Sequence, residues 1–355
     1  MDELYYDAID MLKDMISVSS FSREEADVAL IIEQRLSQFG LQPHRHGNNI
    51  WCIAQSFDAE KPTLLLNSHI DTVKPAQGWT LPPFTPTEDE EGRIYGLGSN
   101  DAGASVVSLT AAFRHLNEIE RAYNLILLLS CEEEVSGCNG IESVLPLLPH
   151  IDVAIVGEPT GMHPAIAEKG LMVLDGEITG LSGHAARNEG INAIYRAMEV
   201  VNVLRNLSFE KVSSMLGPVK ITVSQIEAGT QHNVVPDHCK IVVDIRTTDA
   251  YSNEETLALV CNAVPQQWCT LTPRSTRLNP SGISTEHPLV KRLVTLARTP
   301  FGSPTLSDQA LMPFSSLKLG PGNSARSHTA NEFIFAEEIR TAIQLYITLL
   351  TGLTL

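Results

Sequence analysis

The sequence predicts an α/β protein: a mostly parallel sheet sandwiched by helices, interrupted by a smaller inserted α+β domain. Three observations lead there. Apolar strand-like runs alternate with amphipathic helical stretches as far as Val156, the order that builds a parallel sheet covered on both faces. From about residue 171 the order becomes strand, helix, strand, strand, helix, which suits a small sheet with helices on one face. Helical patterning then resumes beyond Pro288. A main domain is therefore expected from residues 1–170 with 284–355, and an insertion from 171–283. The 355-residue length accommodates two domains at roughly 150 residues each.

The elements follow in order. Residues 3–17 and 23–39 carry helical periodicity. Ser22 with Glu25 has the spacing of a capping box before the second helix, and Gly40 is placed to end it. Ile50–Ala54 and Thr63–Asn67 read as strands, followed by a loop rich in proline and acid up to Asp101. Ala102–Leu116 reads as a helix, Tyr123–Ser130 as a strand, Cys138–Leu148 as a helix and Val153–Val156 as a strand. In the insertion, Leu171–Thr179, Lys220–Ile226 and Lys240–Arg246 are strand candidates, with helices at Ile191–Leu204 and Asn253–Val264. Helices at Pro288–Ala297 and Glu337–Leu350 flank a short strand at Ser316–Leu319.

Charge and composition narrow the function. A net charge of −17 speaks against nucleic acid and against anionic membranes as partners. No apolar run approaches the ~20 residues of a membrane span. The acidic, amphipathic start lacks the basic and apolar parts of a signal peptide. Six cysteines without a C-x-x-C pair fit a reducing compartment, so the expected location is cytoplasmic. No G-x-S-x-G occurs, and GLGSNDAG fits neither a dinucleotide fingerprint nor a phosphate loop.

The chemistry gathers where strands end, the place where open α/β sheets bind ligands. His69 and Asp71 follow one apolar run, Glu132, Glu133 and Glu134 another, and Glu158 a third, while Asp101 precedes a helix. Crowded carboxylates raise one another's pKa, and a bound cation removes that penalty. Carboxylates and imidazoles without a thiolate cluster suit zinc, manganese or cobalt. Residues two apart on a strand share a face, so Asp71 can accept the second ring N–H of His69 and aim its other nitrogen at a metal. Periodicity does not choose among the three glutamates; a strict strand would put Glu132 and Glu134 on one face.

SHIDTV, YGLGSND, CEEEVSG, VGEPT and RSHTANE occur here in the order that resembles the two-zinc aminoacylase and deacylase family. That family includes acetylornithine deacetylase, succinyl-diaminopimelate desuccinylase and glutamate carboxypeptidase, and the match spans nearly the whole chain. The resemblance implies two divalent metal ions, zinc foremost, with cobalt and manganese as alternatives. It implies that His69, Asp101 and Glu158 hold one ion and that Asp101, Glu134 and His328 hold the other. Glu133 would be the general base and later the acid, and Asp71 would orient His69. The insertion would be a lid and dimerisation domain in a homodimer. Within it, His184 in GHAARNEG would stabilise the oxyanion in a neighbouring subunit's site, and Asn233 and Arg246 would contact substrate. A cis peptide is implied between Asp101 and Ala102. The chain departs from the family pattern at Leu97, Ala102 and Gly103, where arginine, methionine and lysine are usual.

The implied reaction is hydrolysis of the amide of a small N-acyl amino acid, with N-acetylornithine or N-succinylornithine expected first, as in arginine biosynthesis. Succinyl-diaminopimelate desuccinylase and a small dipeptidase are the alternatives, and an inactive metal-binding scaffold is the reading from a different class.

Overall fold

The computed structural model describes residues 1–355 and divides into two units. The first comprises Met1–Ile166, Gly282–Phe301 and Ser307–Leu355; the second comprises Ala167–Ser281 and Gly302–Leu306. No helix is long and apolar enough to cross a membrane.

The first unit opens with helices α1 (Asp2–Ile16) and α2 (Ala26–Gln38) and strands β1 (His44–His46), β2 (Asn49–Ile53) and β3 (Thr63–His69). Short strands β4 (Thr87–Glu88) and β5 (Arg93–Tyr95) precede helix α3 (Ala104–Asn117), strand β6 (Asn124–Ser130), helix α4 (Ile141–Val144) and strands β7 (Val153–Val156) and β8 (Ala165–Glu168). The middle of the chain supplies β9 (Gly170–Thr179), β10 (Gly183–His184), helix α5 (Ala193–Asn206), β11 (Lys220–Ala228), β12 (Val234–Val235), β13 (His238–Thr247), helix α6 (Asn253–Ala263) and β14 (Cys269–Pro273). The remainder contains β15 (Ser281–Gly282), helix α7 (Pro288–Thr295), β16 (Phe301–Ser303), β17 (Ser315–Lys318), β18 (Phe333–Phe335) and helix α8 (Ala336–Leu350).

The central sheet of the first unit runs in the order β1-β2-β6-β3-β7-β17. β6, β3, β7 and β17 are mutually parallel, whereas β2 joins β6 antiparallel. Every residue of β3 and β6 is buried, as expected of strands covered on both faces. Alternation sorts their side chains. Leu64, Leu66, Leu125, Leu127 and Leu129 share a core with residues of α1, α2, α3 and α8. Leu65, Ile126 and Leu128 join the opposite core with Ile141 and Val144 of α4.

The second unit contains a four-stranded antiparallel sheet, β11-β13-β9-β14. Residues of β13 alternate, and Cys239, Ile241, Val243 and Ile245 are buried with Ala197 and Val200 of α5 and Val260 of α6. Its helix α6 starts with a true capping box, Ser252 with Glu255.

Three sequence expectations need correction. The Ser22–Glu25 capping box does not form. The Ser22 hydroxyl instead donates to Asp71 Oδ2 at 2.7 Å, and Glu25 Oε1 accepts the Arg23 N–H at 2.6 Å. A tertiary acceptor displaces the local cap, and α2 begins at Ala26. The helix expected over Cys138–Leu148 shrinks to α4, because Gly140 precedes it and Pro146 follows. The helix expected from Ala102 begins at Ala104, since Asp101 and Ala102 take non-helical backbone angles. Strand β14 was not anticipated; the short alternation Cys-Thr-Leu-Thr-Pro becomes a strand by pairing with β9.

Candidate metal centre

β3 ends at His69, and this ring is 2% exposed. Its Nδ1 lies 2.9 Å from the backbone carbonyl of Asp71 and 3.5 Å from the Asp71 carboxylate. The carbonyl of Asp71 is thus the nearer partner, with the expected carboxylate of the same residue beside it. The tautomer is set: an N–H at Nδ1 leaves the Nε2 lone pair free to face the neighbouring carboxylates. Nε2 lies 3.2 Å from Asp101, 3.8 Å from Glu158 and 4.0 Å from Glu133.

The Asp71 carboxylate has other work. It accepts the N–H groups of Glu133 at 3.0 Å and Glu134 at 3.1 Å, besides the Ser22 hydroxyl. Burial opposes its charge, but His69, Ser22 and the Glu134 amide hold its pKa below the usual carboxylate value. Asp71 therefore anchors the turn that carries both glutamates.

That turn resolves the ambiguity of the triple glutamate. Glu132 takes a left-handed backbone (φ 56°), and its side chain accepts a hydrogen bond from Asn139 at 2.9 Å. Its amide donates to Glu25, which is fully buried. Glu133–Val135 then form a single tight turn. Glu133 and Glu134, adjacent rather than alternate, both bring a carboxylate oxygen into a group with His69.

Asp101 stands where the chain from β5 enters α3. Its peptide bond to Ala102 is cis, as the resemblance implied. Glu332 fixes the approach: its carboxylate accepts the N–H groups of Gly98, Asn100 and Asp101 at 3.2, 2.9 and 2.9 Å. The Asp101 carboxylate then spans two imidazoles, with Oδ1 3.2 Å from His69 and Oδ2 3.6 Å from His328. His328 has a left-handed backbone (φ 60°) and also lies 3.1 Å from Glu134. Gly103 explains one departure from the family pattern: a Cβ there would sit 2.5 Å from the Gly98 carbonyl oxygen and 2.8 Å from Leu12. Leu97 is 5% exposed and Ala102 1%, so both are packed into the protein.

Burial and mutual repulsion push Glu133 well above its ordinary pKa and Glu158 up to about 8. Burial opposes charging of His69, yet Glu133, Asp101, Asp71 and Glu158 around it hold its pKa well above the histidine value. The hydrogen bond to Glu134 raises His328 to about 9. These groups are in electrostatic tension that a cation would relieve. His69, Asp101 and Glu158 form one set of donor atoms within 4.8 Å of one another; Asp101, Glu134 and His328 form a second. Asp101 belongs to both, so the donors fit a pair of divalent ions sharing one carboxylate.

Three buried acids around this centre were not anticipated. Glu332 lies inside the motif that carries His328, so its position was available as a signal. Glu25 is read from sequence only as a helix cap, and Asp308 carries no signal. Asp308 is 4% exposed, receives the Ser130 hydroxyl at 2.5 Å, and is raised to about 6 by burial.

The remaining candidates lie in the second unit and are described within it. His184 is exposed on β10, pairs in register with Val234, and accepts the Ala186 N–H at Nδ1. The carbonyl of Asn233 accepts the Ala185 N–H at 3.0 Å, so one short ladder places His184 beside Asn233. Arg246 forks onto Asp244 at 3.0 and 3.2 Å.

A sequence profile of the peptidase family M20/M25/M40 matches residues 65–352. The chain is 30% identical over 305 residues to an acetylornithine deacetylase of Pectobacterium carotovorum subsp. carotovorum (strain PC1), covering 80% of this chain and 79% of that one. It is 26% identical over 265 residues to a succinyl-diaminopimelate desuccinylase of Delftia acidovorans (strain DSM 14801 / SPH-1), covering 67% of each. Its fold is similar to that of aminopeptidase PepT from Bacillus cereus ATCC 10987, with a TM-score of 0.80 at 18% identity and 98% of both chains covered. The ordered motifs, the paired donor sets and these likenesses agree: the chain belongs to peptidase family M20/M25/M40.

Proposed function

We propose that this chain hydrolyses the amide bond of an N-acyl amino acid, with N-acetylornithine or N-succinylornithine as the first substrates to test. The observation that carries the reading is the Asp101 carboxylate reaching His69 with one oxygen and His328 with the other, with Glu133 and Glu134 alongside. His69, Asp101 and Glu158 would hold one divalent ion, and Asp101, Glu134 and His328 the second. Zinc is the first candidate for both, and cobalt and manganese also suit the donors. Such ions supply Lewis acidity, polarising a carbonyl and lowering the pKa of water.

Glu133 has the environment of a general base and acid. Burial and neighbouring carboxylates raise its proton affinity, which suits taking a proton from the attacking water and returning it to the leaving amine. Asp71 positions that carboxylate through the Glu133 amide. His184 would stabilise the developing oxyanion in a neighbouring subunit's site, and Asn233 would contact substrate. Arg246 would grip a substrate carboxylate by exchanging its present partner, Asp244. The second unit would act as lid and as the homodimer contact, in a cytoplasmic enzyme of arginine biosynthesis. Desuccinylation of succinyl-diaminopimelate and dipeptide cleavage would use the same centre.

The test pairs metal analysis with assay of N-acetylornithine, N-succinylornithine, succinyl-diaminopimelate and dipeptides. Glu133→Gln is expected to retain two ions while losing turnover. Stoichiometric metal with no hydrolysis across the panel would favour a scaffold instead, and protein that binds no metal would end the proposal.

A further inference from the structure

Away from the metal centre, the first unit contains a cavity of about 370 Å³, at the small end of the range of about 300–1,000 Å³ for small-molecule sites. Met162, Pro321 and Phe335 give it apolar walls, and Arg298 and Arg326 face it from two segments. The charges there are unequal in their commitments. Arg326 pairs with Glu338 at 2.6 Å and lies over the rings of Phe333 and Phe335. Glu337 reaches Arg340 at 3.5 Å. Arg298 has no acidic partner, and its Nε–H is buried without an acceptor. Its terminal nitrogens carry no partner within the protein, and guanidinium nitrogens hold carboxylates through charge-assisted hydrogen bonds.

The geometry points to a second binding site, for a small carboxylate with an apolar body. Its carboxylate accepts from the terminal nitrogens of Arg298, and its body lies against Met162, Pro321 and Phe335. An alcohol of the same body would accept a hydrogen bond but forgo the charge-assisted pair, and a cationic ligand would be repelled.

One wall of this cavity is continuous with the metal centre. Gly161 donates to the Gly322 carbonyl at 2.7 Å, and Met162 to the Gly320 carbonyl at 3.0 Å. Glu158 lies three residues before Gly161. Asn323, next after Gly322, exchanges hydrogen bonds with the Asn100 side chain at 3.0 and 3.2 Å, and Asn100 adjoins Asp101. An occupant bridging these loops ties together the segments that present Glu158, Asp101 and His328, so the site is placed to act as an effector site. Binding at Arg298 stands independently of the proposed reaction.

Phenylacetate is the probe, and 2-phenylethanol, similar in body but uncharged, is its control. Calorimetric titration is expected to give saturable phenylacetate binding, with 2-phenylethanol weaker by about tenfold or more. Arg298→Met is expected to lose a similar factor, Arg298→Lys less, and Phe335→Ala an intermediate amount, with circular dichroism confirming that each variant is folded. Hydrogen exchange is expected to slow in residues 158–163 and 320–328 of the wild type but not of Arg298→Met. Equal affinity in wild type and Arg298→Met, or no binding at millimolar probe, overturns the site. Arg298-dependent binding without protection of those segments overturns its coupling to the metal centre.

Discussion

Glu332 holds the backbone of Asp101: one carboxylate oxygen accepts the amide hydrogens of Asn100 and Asp101, each at 2.9 Å, and the other accepts that of Gly98 at 3.2 Å. The residue is 2% exposed, so these three hydrogen bonds are made inside the protein. Glu332→Ala strands these donors, each unmet one costing roughly 1–3 kcal/mol. The expected loss is about 3 kcal/mol or more in a urea titration, together with weaker binding of the metal pair in a chelator competition.

Asp71→Asn tests whether the turn carrying Glu133 is positioned from below. Asparagine can accept through only one of its two terminal atoms, so it cannot serve the Ser22 hydroxyl and both glutamate amides as the carboxylate does. Activity or metal affinity is expected to fall about 10–100-fold, with kcat suffering more than KM. Ser22→Ala removes one of these contacts and should cost less. A wild-type kcat in Asp71→Asn would mean the turn holds its shape without this anchor.

Gly103→Ala is expected to be destabilising although alanine favours helices. Its Cβ would meet the Gly98 carbonyl oxygen at 2.5 Å, where neighbouring backbone cannot yield cheaply. Overpacking of this kind costs roughly 1–3 kcal/mol, visible as a lowered Tm by calorimetry.

His287 caps α7 by accepting the Leu289 N–H at Nδ1, which requires a neutral ring. Burial lowers its pKa from the ordinary 6.5. The folded state therefore binds this proton less readily than the unfolded chain. The contribution is full above about pH 6.5 and declines as pH falls from there through the folded pKa. His287→Asn, which caps without titrating, is expected to flatten that part of the stability–pH curve in urea titrations from pH 5 to 8.

All six cysteines are free, and Cys138 alone is exposed. Burial pushes the Cys52 and Cys131 thiols up to about 12 and Cys269 to about 11. Thiolate supply and access both limit alkylation. Brief iodoacetamide treatment of the native protein should modify Cys138 first, as read by peptide mass spectrometry. Rapid labelling of Cys131 would show that the turn around Glu132 opens readily.

The sequence by itself determined the alternation of strands and helices, the position of the polar groups at strand ends, and the likeness that joined five motifs into one centre. Burial patterns are local in origin: the apolar runs of β3 and β6 could not face water, and a parallel sheet was the arrangement that covered both of their faces. Only the tertiary structure decided which atoms meet. Glu133 and Glu134 face His69 because a left-handed residue at Glu132 ends the strand's alternation, and that conformation is held by Glu25 and Asp71 from distant segments. Ser22 gives up a local cap for Asp71 for the same reason: a buried carboxylate draws donors strongly, whatever their separation along the chain. The anchoring roles of Asp308, Glu25 and Glu332 escaped the sequence because an acidic residue looks the same there whether it will be solvated or buried. Burial turns it into an anchor, and burial is set by what the rest of the chain packs around it.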